Sequence, residues 1–113
     1  MSSRYGMVLR LEPTRIADYK QLHAKVWPAV LTTITACHIR NYSIFLRRLD
    51  DGQHYLFSYF EYDGDNFAAD MQAMAADPVT QEWWRHCVPC QHRLADAADG
   101  EWWSHMTEVF HHP

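Results

Sequence analysis

Hydrophobic and polar residues change rhythm several times along this chain, and each change marks an element. Residues 5–11 alternate, with Met7, Leu9 and Leu11 on one side, which predicts a strand. Pro13 suits the first turn of a helix. Ile16, Tyr19, Leu22, His23, Val26, Val30 and Ile34 then follow a helical period, with Pro28 placed to bend or break it. Alternation returns over Tyr42 to Leu46. Asp50-Asp51-Gly52 predicts a hairpin turn, because glycine supplies the positive φ that such turns need. His54 to Tyr62 reads as the returning strand. Phe67, Ala68, Met71, Met74 and Ala75 mark a second helix. Asp77-Pro78 supplies an N-cap and a first-turn proline for a third helical piece over Gln81 to His86. Val88 to Glu101 is polar and reads as a loop, and Met106 to Phe110 as a last strand.

The order strand, helix, strand, strand, helix in two pieces, strand is that of an α+β, ferredoxin-like βαββαβ sandwich. Residues 1–113 are expected to form a single domain with an antiparallel sheet and helices on one face. His54, Leu56, Ser58, Phe60 and Tyr62 share one side of the third strand, and Tyr55, Phe57, Tyr59 and Glu61 the other. Both sides are apolar enough to require cover, and one helical layer covers only one. The remedies are a homodimer packed sheet to sheet or a ligand cavity between helix and sheet, and the homodimer, a dimeric α+β barrel, is the expected one.

Composition narrows the function classes. A 48% hydrophobic content supports a packed core and excludes disorder. The net charge of −4 comes without a basic run, which argues against nucleic acid. No apolar stretch approaches about 18 residues, so no membrane span is expected. The N-terminal residues lack the apolar core of a signal peptide. Three cysteines fit no disulfide framework, so a cytoplasmic location is expected.

Five constellations carry potential chemistry. Tyr19, His23 and Trp27 recur every four residues, so a continuous helix would set a phenol, an imidazole and an indole in one row. Such a row is an unusual choice for simple packing, since its polar atoms need partners. It suits a polyhydroxylated small molecule, with rings to stack on and a titratable nitrogen to move protons. Trp83-Trp84 is either a packed pair or a sugar platform. Asn41-Tyr42 is either a turn residue with an ordinary strand tyrosine, or a phenol at a pocket mouth. Cys87-Val88-Pro89-Cys90, flanked by His86 and His92, offers a redox pair or half a zinc site, though no second such pair completes four ligands. His111-His112 reads as a frayed end.

Together these residues resemble the L-rhamnose mutarotase family. The matching pieces are Tyr19-x-x-x-His23, Trp27-Pro28, residues 41–46 (Asn-Tyr-Ser-Ile-Phe-Leu), Trp83-Trp84, and Glu108-Val109-Phe110 close to Pro113. The resemblance implies a dimeric ferredoxin-like fold that holds a monosaccharide between sheet and helix. It implies His23 as the acid/base residue, with Tyr19, Tyr42, Trp83 and Trp84 lining the sugar. Mutarotation moves protons between oxygens, so the expected cofactor set is empty and no metal is needed. The segment 88–101, Phe45 in place of an expected tyrosine, and His111-His112 depart from the family pattern. They leave L-rhamnose, L-fucose or another 6-deoxy sugar open. Two rivals remain: a cofactor-free monooxygenase or haem-handling protein on the same scaffold, and a metal or redox module built on Cys87 and Cys90.

Overall fold

A computed structural model describes residues 2–113. Its elements run β1 (Ser3–Leu11), a 3-10 turn (Pro13–Arg15), α1 (Ile16–Ala24), α2 (Pro28–Ala36), β2 (Ile39–Arg48), β3 (His54–Tyr62), α3 (Phe67–Ala76), α4 (Pro78–Cys87), a second 3-10 turn (Val88–Cys90), β4 (Gln91–His92) and β5 (Ser104–Met106). The sheet is antiparallel in the order β2-β3-β1-β4, and β5 also pairs with β1. This is the ferredoxin-like α+β arrangement that the order of elements predicts.

Each long element forms for a local reason. In β1 the alternation places Leu9 and Leu11 in the core, at 0% and 1% exposure. They pair with Leu56 and His54 of β3, so residues 54, 56, 58, 60 and 62 share the helix-covered face. The predicted hairpin closes through Gly52, at φ 80°, whose N–H donates to the Leu49 carbonyl. α4 begins where Asp77 accepts from the Thr80 N–H at 2.9 Å, with Pro78 at the first helical position. Its buried face is Thr80, Trp83 and Cys87, at the three-and-four spacing of a helical stripe.

Pro28 does more than bend its helix. α1 stops at Ala24, and Trp27, at φ −59° and ψ 132°, caps a new helix that starts on Pro28. The residue before a proline is driven out of the helical region, which makes this a break rather than a kink. The regular Tyr19–His23–Trp27 row therefore does not exist as one helical face.

β2 begins earlier than the predicted Tyr42 and carries a bulge. Arg40 pairs with Glu61 and Ser43 with Tyr59, so Asn41 and Tyr42 together oppose Phe60. Asn41 takes the left-handed conformation at φ 52° and its Nδ2 donates to Glu61 Oε1 at 3.0 Å. One extra residue reverses the parity of a strand. Ile39 faces the helices before the bulge; Tyr42, Ile44 and Leu46 face them after it.

Two expectations need correction at the C-terminal end. Segment 88–101 is not all loop, because the Val88–Cys90 turn and β4 lie within it. The last strand is Ser104–Met106 and not 106–110. It pairs with Val8, Met7 and Gly6, whereas Val109 and Phe110 stand 93% and 80% exposed. The apolar side chains of Val109 and Phe110 need cover, but none of the described residues provides it.

The core divides into two clusters. One gathers Leu9, Leu11, Tyr19, Val30, Leu56, Trp83, Cys87 and Cys90 under α1, α2 and α4. The other gathers Ile39, Phe60 and Tyr62 with Tyr5, Phe67 and the methionines of α3. The opposite face of the sheet carries Phe45, paired with Phe57 and 63% exposed.

Candidate functional site

The first cluster holds most of the candidate residues. Tyr19 is buried on α1, one helical turn before His23, and their rings stack at 4.2 Å between centroids. Near the end of α1 the Tyr19 carbonyl is reached by the His23 ring, with Nδ1 at 2.9 Å. A carbonyl only accepts, so Nδ1 carries the proton and Nε2 keeps a lone pair. Burial lowers the His23 pKa below its ordinary 6.5, partly opposed by the bond to Tyr19. The imidazole is therefore neutral at pH 7, and its basic nitrogen is the one the helix does not hold.

Trp83 joins the α1 and α4 aromatics. It meets His23 edge-on at 5.4 Å and Trp27 edge-on at 5.2 Å, while Trp27 also meets His86 at 5.6 Å. The break at Pro28 thus brings Trp27 back to the same neighbourhood by a turn of the chain. Trp84 points away from Trp83, as adjacent helical residues must. It is 39% exposed and belongs to neither core cluster.

Tyr42 approaches from the sheet. The β2 bulge turns it to the helix-covered face, where its ring meets Phe60 edge-on at 5.5 Å. As a whole residue it is 43% exposed, yet its phenol is desolvated, which pushes its pKa up to about 12. Burial raises Tyr19 more strongly still, opposed by a hydrogen bond from Gln91 and assisted by the nearby Tyr42 and Cys87. The two phenols are therefore neighbours in one poorly hydrated region, and both remain protonated at neutral pH.

Sequence reasoning did not find Gln91. Its Nε2 donates to the Tyr19 hydroxyl at 3.2 Å, and its Oε1 accepts from the Trp102 indole N–H at 2.7 Å. Gln91 sits in β4 opposite Leu11, which turns it toward the helices. No periodicity marks a lone amide. The available signal was the position of segment 88–101, polar and flanked by tryptophans.

A cleft of about 420 Å³ opens between α1 and α4, lined by Asp18, Gln21, Lys25, Trp27, Trp83 and His86. At 100° per residue, Asp18, Gln21 and Lys25 lie on a different side of α1 from Tyr19 and His23. Only Trp83 among the sugar-site candidates borders it.

The cysteine pair lacks the electrostatics of a reactive redox pair. Cys87 and Cys90 are both buried, and burial raises both pKa values, Cys87 to about 12. Reactive cysteines need a stabilised thiolate, and burial favours the thiol form here. Among the described residues no three His, Cys, Asp or Glu side chains are grouped as metal ligands.

Comparison with known proteins agrees with the geometry. The family model for L-rhamnose mutarotase matches residues 4–112. An L-rhamnose mutarotase of Jannaschia is 27% identical over 110 residues, covering 97% of this chain and 98% of that one. One from Shouchella clausii is 31% identical over 86 residues, covering 76% and 77%. The crystal structure of an L-rhamnose mutarotase from Formosa agariphila shares the fold, with a TM-score of 0.73 at 21% identity over 98% of this chain and 99% of that one. None of these findings supports the monooxygenase, haem-handling or cysteine-based readings.

Proposed function

This chain belongs to the L-rhamnose mutarotase family, and we propose that it interconverts the α and β anomers of L-rhamnose with His23 as the acid/base residue. Tyr19, Tyr42, Trp83 and Trp84 are assigned to the sugar. L-Fucose, another 6-deoxyhexose, is the alternative substrate. The observation that carries this reading is the state of His23, neutral, anchored through Nδ1 on the Tyr19 carbonyl, with Nε2 left basic.

The chemistry requires only proton transfers between oxygens. Nε2 takes the proton of the anomeric hydroxyl as the C1–O5 bond breaks. The bonding pair goes to the ring oxygen, which gains a proton, and C1 becomes an aldehyde. Rotation about C1–C2 presents its other face, and the steps reverse to close the other anomer. A positioned group titrating near neutrality typically contributes about 10²–10⁴-fold to such transfers. Desolvated phenols beside it remain donors over the whole neutral range, which suits them to hold sugar oxygens.

The working form in this reading is a homodimer of single domains spanning 1–113. Phe45 and Phe57 on the uncovered sheet face, and Val109 and Phe110 on the tail, supply apolar surface for it. Arg4 holds the base of that tail through Glu108 at 2.8 Å. Three free, buried cysteines fit a reducing cytoplasm, and no described helix is long and apolar enough to cross a membrane.

Saturation-transfer NMR tests the activity directly. Adding protein should speed exchange between the anomeric proton signals of L-rhamnose, compared with L-fucose and D-galactose. If no 6-deoxyhexose responds, the assignment fails. Sedimentation of the wild-type chain at a mass of one protomer would remove the dimer alone.

A further inference from the structure

Trp102, Gln91 and Tyr19 form a hydrogen-bonded chain with a fixed direction. An indole N–H only donates, so the atom of Gln91 at 2.7 Å from Trp102 Nε1 must be the amide oxygen. The amide nitrogen then faces Tyr19, at 3.2 Å from its hydroxyl oxygen. Tyr19 is thereby an acceptor from Gln91, and among the described residues its own proton has no acceptor. Reversing the amide would place its oxygen against Tyr19 and let Gln91 consume that proton. The Trp102 N–H prevents this reversal.

The chain is anchored at both ends. Gln91 is 9% exposed and lies in β4 against Leu11, while the Glu12 N–H donates to the Cys90 carbonyl at 2.7 Å. Arg93 holds the loop that returns to Trp102, donating to the carbonyls of Glu101 and Ala98, both at 2.9 Å. Tyr19 in turn stacks on His23 and holds its Nδ1. Resting on the mutarotase reading above, we propose that Gln91, oriented by Trp102, is a positioning residue that presents the Tyr19 hydroxyl as a hydrogen-bond donor to a sugar oxygen. The stretch from Gln91 to Trp102 would then set the polarity of the substrate site.

A double-mutant cycle on L-rhamnose exchange tests the proposal. Tyr19→Phe should lower kcat/KM by roughly 3- to 10-fold, the usual effect of one neutral hydrogen bond. Gln91→Met should give a similar loss, and the double variant should be no worse than Tyr19→Phe alone, because Gln91 acts through that hydroxyl. Losses that multiply overturn the proposal while leaving mutarotation intact. A wild-type chain without exchange overturns both readings.

Gln91→Glu supplies a second readout that a purely structural role would not move. A carboxylate only accepts, so it draws the Tyr19 proton inward and should be more harmful than Gln91→Met at pH 7. Lowering the pH protonates the introduced carboxylate and restores a donor toward Tyr19. The ratio of variant to wild-type activity should therefore rise as pH falls, at temperatures well below either melting transition. A ratio independent of pH overturns the proposal.

Discussion

Two buried tyrosines, one in each core cluster, contrast a packing role with the proposed functional one. Tyr62 and Tyr19 are 4% and 5% exposed, and both sit among aromatic neighbours. The Tyr62 hydroxyl is fully engaged: it donates to Asp70 Oδ2 and accepts from the Asn66 N–H at 3.0 Å. It ties β3 to the start of α3, whose N-cap is Asn66. The Tyr19 hydroxyl accepts one hydrogen bond and has no described acceptor for its proton. Burial is the same in both, so burial does not identify the site. The proposed site rests instead on unused hydrogen-bonding capacity beside an imidazole.

The largest expected effect concerns the imidazole itself. His23→Ala should lower L-rhamnose exchange by about 10²–10⁴-fold, measured by NMR with the melting temperature recorded in parallel. The ring is half-buried and, among the described residues, its one hydrogen bond goes to its own helix, so the protein should stay folded. Exchange at the wild-type rate would return Tyr19 and His23 to the same structural class as Tyr62.

A reciprocal pair of substitutions sharpens the contrast. Tyr19→Phe should reduce exchange by roughly 3- to 10-fold, with the smaller stability loss of the two. Tyr62→Phe should leave kcat/KM of the folded protein unchanged and lower Tm by the larger amount, because it leaves the Asp70 carboxylate and the Asn66 N–H without their shared partner. If Tyr62→Phe damaged exchange as much as Tyr19→Phe at equal folding, the two clusters would not be functionally distinct.

The thiols give a smaller and purely negative contrast. Cys87 packs with Tyr19 in the first cluster, yet burial holds it as a thiol with a pKa near 12. Brief exposure of the folded protein to iodoacetamide at pH 7 should leave both Cys87 and Cys90 unmodified by mass spectrometry, and exchange unaffected. Rapid labelling of either would mean that the thiolate is accessible after all.

Much of this division was readable in the chain. The alternation of 5–11, the Asp-Gly hairpin and the Asp77-Pro78 cap are local signals with local causes, and each lies where the pattern put it. Tyr19 and His23 were legible because four residues make one helical turn. Other features depended on distant partners. The β2 bulge is decided by pairing with β3, and it alone turns Tyr42 toward the helices. β5 is three residues long because β1 offers a pairing edge at Gly6 to Val8, which no periodicity in 104–110 encodes. Gln91 acts on a hydroxyl 72 residues away in sequence, and one amide in a polar stretch has no pattern to betray it.

The last distinction between the clusters is their response to pH. Tyr62 and Asp70 keep one charge state across the neutral range, since burial and Asp70 push Tyr62 up to about 12, and Tyr62 holds Asp70 below its usual 3.8. His23 changes state closer to neutrality. Its folded pKa is lowered from 6.5 by burial, so the unfolded chain takes up this proton first. The stability that neutral His23 represents is complete above about pH 6.5 and is lost as pH falls below that value toward the folded pKa. Exchange should follow the same sense, because protonation of Nε2 removes the base. The acid limb of kcat/KM should therefore have its midpoint below 6.5 in wild type, and Tyr62→Phe should not move it. A midpoint above 6.5 would mean that a nearby negative charge outweighs burial at His23 in the free protein.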